Sequence, residues 1–201
     1  MMVLAGESLA RWAFDRGLPF PYYSQEAPLS REGMPEGLAG EFAKRRLMKA
    51  GMAGVQPRAH QGLGVTMYAQ ATSPLRRYGD LLGHQQARAT LAAAAGRAGY
   101  PPLPADELSM SLARAAAGNQ GVRKAERQST MHWTIAWLQA RPGWEADAVV
   151  VQAGSGDTLL YVPEAGLETK LRSSGLELNS IVRIRFQKAD IARLEVQFSL
   201  I

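Results

Sequence analysis

Apolar residues recur at helical spacing at the start of the chain. Leu4, Leu9, Trp12 and Ala13 predict a helix over Leu4–Arg16, ended by Gly17, Pro19 and Pro21. Residues 24–40 carry Pro28, Gly33, Pro35, Gly37 and Gly40 and read as an irregular connector. Glu41–Ala50 reads as a short basic helix and Gly51–Gly64 as glycine-rich loop. The alternation over Val65–Ala71 reads as a short strand. Ser73-Pro74 has the form of a helix N-cap followed by proline at the first helical position. That helix is expected to run to about Ala95 and to bury Leu81, Leu82, Ala89 and Leu91. After Pro101, Pro102 and Pro104, a second long helix is expected over Ala105–Ala140. Leu108, Leu112, Ala115, Val122, Ile135 and Trp137 supply its apolar side, and Gly118 and Gly121 predict a bend in its middle.

Arg141-Pro142-Gly143 marks a boundary, beyond which the period shortens to two. Ala146–Ala153, Thr158–Val162, Leu167–Arg172, Ile181–Lys188 and Ile191–Phe198 read as strands, with a turn at Gly154-Ser155-Gly156-Asp157. Val182, Ile184 and Phe186 alternate with Arg183 and Arg185, as a half-buried strand requires. Five short strands predict a small barrel of the OB type. The fold class expected is therefore α+β: a mainly helical domain over residues 1–142, then a five-stranded barrel over residues 143–201.

Composition narrows the partners. The 201 residues are 46% hydrophobic and 20% charged, enough for a packed core. A net charge of +5 favours polyanions, nucleic acid first. Absence of cysteine excludes disulfides and thiolate zinc sites. No apolar run approaches the roughly 20 residues that span a bilayer, and no signal peptide is visible. The expectation is a cytoplasmic protein without a membrane partner.

The chemistry concentrates in Thr72-Ser73-Pro74-Leu75-Arg76-Arg77-Tyr78-Gly79-Asp80. A helix start presents unpaired N–H groups and a partial positive charge, which together favour a phosphate. Arginines in a first turn meet that positive end unfavourably, so the pair Arg76 and Arg77 suggests a bound anion, which a guanidinium fork holds through two hydrogen bonds. Tyr78 could stack or pack nearby. The residues alone leave a second reading open, in which Arg76 pairs with Asp80 at i,i+4 or Arg77 with a core carboxylate. Asp80 and His84 read as a structural hydrogen bond rather than half a metal site.

Tyr68 followed by Thr72-Ser73-Pro74-Leu75-Arg76-Arg77-Tyr78-Gly79-Asp80-Leu81, with His84 beyond, resembles the signature of the ribonuclease II/R (RNB) exoribonuclease family. His60-Gln61-Gly62-Leu63-Gly64 is similar to the run preceding that signature. Ala125-Glu126-Arg127 is similar to the Ala-Glu-Arg of the family's late helix. Met2–Pro28 resembles a helix-then-tyrosine segment of the family, with Tyr23 and Gln25 standing where arginine and histidine are usual. The terminal barrel falls where the family carries an S1-type OB domain. The resemblance thus implies the carboxy-terminal part of an RNB domain joined to an S1-like domain.

By that resemblance the activity is 3′→5′ hydrolysis of single-stranded RNA. Arg76 is expected on the phosphate near the scissile bond, with Arg77 supporting it and Glu126 lining the same cavity. The residues themselves allow Glu126 a plain surface salt bridge with Arg123. Thr72, Ser73 and Tyr78 complete the expected RNA contacts around the motif; on the barrel, Arg183, Arg185 and Lys188, with Lys170 and Arg172, read either as an RNA track or as a plain solvated basic face. No DNA partner is expected. The family's Mg²⁺ is held by a cluster, Asp-x-x-x-x-x-Asp-x-Asp-Asp, upstream of this motif. This sequence has only the scattered Asp15, Asp80, Asp106, Asp147, Asp157 and Asp190. Hard cations need grouped oxygen ligands, so this chain is expected to bind no metal alone. It is likewise expected to cut no RNA without an upstream portion, on the same longer chain or another. A non-catalytic RNA-binding module and a structural remnant remain open alternatives.

Overall fold

The computed structural model describes residues 1–28, 33–154 and 156–201. Four helices and seven strands follow in the order α1 (Met2–Phe14), β1 (Tyr22–Ser24), α2 (Gly37–Leu47), β2 (Met52–Gly54), α3 (Tyr78–Ala94), α4 (Ala105–Gln139), β3 (Glu145–Gln152), β4 (Asp157–Val162), β5 (Leu167–Arg172), β6 (Ile181–Asp190) and β7 (Glu195–Leu200). The α+β class and the carboxy-terminal antiparallel barrel agree with the pattern reading. Among the described residues no helix is long and apolar enough to cross a membrane.

The contacts divide the chain into two compact units: Met1–Pro28 with Lys49–Gly121, and Leu29–Met48 with Val122–Ile201. These limits differ from the change of period at Arg141-Pro142-Gly143, because α2 and the end of α4 are packed with the barrel.

In the first unit, Ala10, Ala13, Phe20, Tyr22 and Ala69 form one buried cluster, and Leu82, Leu108 and Leu112 another. Leu81 and Leu91, expected inside, are exposed; Gln86 is fully buried instead. Its amide donates to the carbonyls of Pro19 (2.8 Å) and Leu103 (3.0 Å) and accepts from the Leu103 N–H (2.7 Å). A buried glutamine whose groups are all partnered ties three segments without a desolvation penalty. The strand expected over Val65–Ala71 does not form. Its backbone groups go singly to other segments: Val65 O accepts from His60 N, Tyr68 O from Tyr23 N, and Ala69 N donates to Gly6 O. The short pair β1–β2 forms where the sequence reading had none.

In the second unit the strand order is β5-β4-β3-β6-β7, all antiparallel, with β5 returning toward β7 so that the barrel nearly closes. Ala146, Ala148, Val150, Leu160, Val162, Leu167, Leu171, Ile184, Phe186 and Phe198 fill it, together with Leu138 from α4. The last strand starts at Glu195 rather than Ile191, since Ile191–Leu194 turn through a left-handed Leu194 (φ 55°). The turn expected at 154–157 includes Ser155, which lies outside the described residues.

The short helix α2 is part of this unit. Phe42 packs on Tyr161 of β4 (5.3 Å between rings), Arg45 bonds to Glu168 of β5, and Arg46 to Gln152 of β3. Asn179 has a left-handed backbone (φ 64°). Its Oδ1 accepts from Ala39 N and its Nδ2 donates to Glu36 O, both at 2.8 Å. A side chain from the barrel thus caps the start of a helix whose own N-cap, Glu36, makes no capping bond.

The helix α4 is continuous through Gly118 and Gly121. Leu108 and Leu112 are buried near its start, and Ile135 and Leu138 near its end. Every residue from Ala116 to Thr130 is exposed, including Val122, which was expected on the apolar side.

Candidate RNA-phosphate site

The segment Thr72–Asp80 is built around one buried carboxylate. Asp80, on the first turn of α3, is 0% exposed. Its Oδ2 accepts from Ser73 N (2.9 Å), Arg77 Nη2 (2.7 Å) and Arg77 Nε (3.1 Å). Arg77 Nη2 also donates to Thr72 Oγ1 (3.2 Å). Asp80 Oδ1 has no partner among the described residues.

This arrangement corrects the expected helix start. The helix begins at Tyr78 with Arg77, in extended conformation (φ −124°), as its N-cap. Ser73-Pro74 is not the cap. Residues 73–77 form a separate turn, with Arg76 N (3.2 Å) and Arg77 N (3.0 Å) donating to Ser73 O. The physical reason is Asp80. A buried charge must be paired, and its partners, the Ser73 N–H and the Arg77 fork, reach it only when the preceding turn folds back over the helix start. The argument that two arginines stand against the helix dipole therefore does not hold for this geometry, since Arg76 precedes the helix and Arg77 is neutralised.

The two arginines have different surroundings. Arg77 is the ion-pair partner of Asp80, with its side chain 28% exposed. Arg76 is exposed, and the only hydrogen bond of its side chain among the described residues is a long one to Ser73 Oγ (3.5 Å). Tyr78 and Leu75 are exposed beside it, at 51% and 102%. The expected Asp80–His84 bond is absent. His84 Nε2 instead lies 2.7 Å from the Ala71 carbonyl, an acceptor, so that nitrogen carries the proton.

Tyr23 is a neighbour that sequence reasoning recorded only as a departure from pattern. Its hydroxyl occupies the space over Gly79, where any Cβ would strike it. A hydroxyl-bearing ring and a glycine in step with a buried aspartate leave no periodic trace in a sequence. Burial raises the Tyr23 phenol above 10, the Asp80 charge raises it further, and Arg77 partly opposes this. Tyr22 is raised by burial and then by Asp15. In an alkaline titration of the folded protein followed by site-resolved NMR, Tyr22 and Tyr23 should each ionise above the ordinary phenol value of about 10. Because both values are raised in the folded protein, the stability they confer is complete below pH of about 10 and is lost as the pH rises through the shifted values. Ionisation of Tyr22 and Tyr23 at or below that ordinary value would contradict the assignment.

The remaining expected residues belong to the second unit. Glu126 is exposed, and no ion pair with Arg123 forms. On the barrel, Arg183 bonds to Asp147 (3.0 Å) and Arg185 to Glu145 (2.7 Å) directly across the β3–β6 ladder. These cations are already paired on the sheet surface, where such cross-strand pairs add modest stability. Lys188 is exposed without an ion pair among the described residues. Lys170 and Arg172 line a cleft of about 820 Å³ where β5 and β7 face each other. Among the described residues no three of His, Cys, Asp and Glu stand together as candidate metal ligands.

Comparison with known proteins agrees with this architecture. The RNB domain model matches residues 38–93, and the model of the RNase II-type exonuclease C-terminal S1 domain matches residues 144–201. An uncharacterized ribonuclease of Synechocystis sp. is 30% identical over 98% of this chain, which covers 30% of that protein. The chloroplastic/mitochondrial ribonuclease II of Arabidopsis thaliana is 29% identical over 94% of the chain, which covers 24% of it. Mycoplasma genitalium RNase R, solved with ribose-methylated single-stranded RNA, superposes on the whole chain with a TM-score of 0.80 at 15% identity, and the chain covers 40% of it. The chain therefore spans less than half the length of these proteins. Its motif, its fold and its relatives show that this chain belongs to the ribonuclease II/R family, as a stretch comprising RNB-domain sequence and the carboxy-terminal S1 domain.

Proposed function

We propose that this chain is the RNA-holding carboxy-terminal portion of a 3′→5′ hydrolytic exoribonuclease. The observation that carries this reading is the division of labour between the two motif arginines. Asp80 and the Thr72 hydroxyl occupy Arg77, while the guanidinium of Arg76 is left at the surface with only a long contact to the Ser73 hydroxyl. A free planar fork on a turn held by a buried ion pair is suited to bidentate phosphate recognition. Arg77 is then a positioning residue. The relatives are described as ribonucleases, and one structural neighbour holds single-stranded RNA.

An arginine neutralises and orients a phosphate but does not make a hydroxide nucleophile. We assign the hydrolytic metal, Mg²⁺ by family resemblance, to carboxylates outside these 201 residues, where grouped oxygen ligands would lower the pKa of water. The upstream RNB portion, on the same longer chain or another, is therefore the required partner. The test has two parts. The 201-residue chain should bind labelled single-stranded oligoribonucleotides with an affinity that falls steeply with salt, because each neutralised phosphate releases counterions. It should leave 5′-labelled RNA intact, whereas a longer chain including the aspartate cluster should shorten it when Mg²⁺ is added. Absent or salt-independent binding, or processive shortening by the purified 201-residue chain, would overturn the reading.

A further inference from the structure

Two tryptophans at the end of α4, the exposed Trp133 and the half-buried Trp137, have no role in the site described above. Trp133 is 68% exposed, unusual for a side chain with so much apolar surface. Trp137, one turn on, is held by Trp144 (5.1 Å, edge to face) and by the Arg141 guanidinium stacked over it (4.3 Å). Both rings line a recess of about 360 Å³ with Thr130, Thr134, Glu164 and Ala165. That volume lies at the lower end of the range, about 300–1,000 Å³, that holds small organic groups. Arg123, Arg127, Thr130, Thr134 and Trp137 follow at spacings of four and three along one face of α4, and Arg141 stands just past its end, stacked on Trp137. Between Val122 and Arg141 four exposed cations, Arg123, Lys124, Arg127 and Arg141, stand against the single carboxylate Glu126.

We propose that Trp133 and Trp137 stack an unpaired RNA base at the end of this basic stripe, and that the Glu164 carboxylate selects guanine. This rests on the reading of the chain as an RNA holder and adds a second contact region to it. Cations tracking a backbone toward aromatic platforms are the chemistry of single-strand binding. A carboxylate only accepts hydrogen bonds, and the guanine edge offers two adjacent donors, N1–H and N2–H, whereas uracil offers one. The same carboxylate repels phosphate, so the recess takes the base and leaves the backbone to the arginines. The face that OB barrels commonly use for oligonucleotides, their second and third strands, is here β4–β5, and α2 covers part of it through Phe42–Tyr161 and Arg45–Glu168. Bases bound by this unit therefore have reason to lie elsewhere.

The test uses the 201-residue chain and fluorescein-labelled hexaribonucleotides (UG)₃, (UA)₃ and U₆, read by anisotropy. The parent chain should prefer (UG)₃ over U₆ by about fivefold or more. Trp133→Ala should weaken all three by about tenfold, and Trp133→Tyr should restore most of the loss. Glu164→Gln should remove the preference for (UG)₃ without weakening U₆. Unchanged affinity in Trp133→Ala would overturn the stacking assignment and leave this face to a protein partner. Equal affinities of the parent for the three hexamers would overturn the role of Glu164. Failure here is distinguishable from failure of the proposed function: binding that survives Trp133→Ala but weakens in Arg76→Ala sinks only the recess, and the reverse sinks only the Arg76 site.

Discussion

Replacement of Asp80 by alanine should destabilise the first compact unit by about 3 kcal/mol. The carboxylate is fully buried and takes three hydrogen bonds, two from Arg77 and one from the Ser73 backbone. Its removal leaves a guanidinium that is 28% exposed without its counter-charge, and a part-buried N–H without its acceptor. Breaking a buried pair costs about 3–5 kcal/mol, and a single unsatisfied buried donor about 1–3. The partial exposure of Arg77 lets water recover some of this, which puts the expected value at the lower end. Asp80→Asn should cost less, because an amide oxygen still accepts from Ser73 N. The two units need not unfold together, so one global transition is a poor measure. Hydrogen exchange is the better one. The Ser73 amide should lose its protection in Asp80→Ala, and amides of α3 should exchange roughly a hundredfold faster. A change below about 1 kcal/mol, with Ser73 still protected, would show that the turn does not depend on the ion pair.

Arg76→Ala, in a longer chain that includes the aspartate cluster, should lower turnover of single-stranded RNA by about 100-fold or more. The proposed site puts this guanidinium on the reacting phosphate, where charge builds up in the transition state. Because the Arg76 side chain is exposed and makes only one long hydrogen bond among the described residues, its loss should leave folding intact. Arg76→Lys should restore turnover only in part, since an ammonium supplies charge without the planar fork. In the 201-residue chain, the same Arg76→Ala should reduce the salt slope of RNA binding by about one unit, as expected for one lost phosphate contact. Arg77→Ala is the useful contrast. It should act chiefly through stability, by stranding Asp80 in the interior. Unchanged turnover in Arg76→Ala would leave the motif a structural device centred on Asp80.

Five barrel strands and the long α4 were legible in the sequence because each repeats a local period. Ile184 and Phe186 alternate with Arg183 and Arg185 because one face of β6 is buried, and a one-residue slip would expose the apolar set. Leu108 and Leu112 recur at helical spacing for the same reason. The Thr72–Asp80 motif and its family were legible too, since spacing and residue identity are properties of the chain itself. What only the tertiary structure decided is where polar groups find their partners. Ser73-Pro74 has every local feature of a helix start, yet the demand of buried Asp80 for the Ser73 N–H and the Arg77 fork moves that start to Tyr78. Gln86 reads as a surface residue until Pro19 and Leu103 surround it. Arg183 and Arg185 read as a free basic track until the β3–β6 register sets Asp147 and Glu145 opposite them. The short helix α2 carries no mark of its attachment to the barrel, because its cap, Asn179, comes from more than a hundred residues away. Periodicity records which face of an element is buried, whereas a hydrogen bond or ion pair between distant segments depends on a juxtaposition that exists only once the chain has folded.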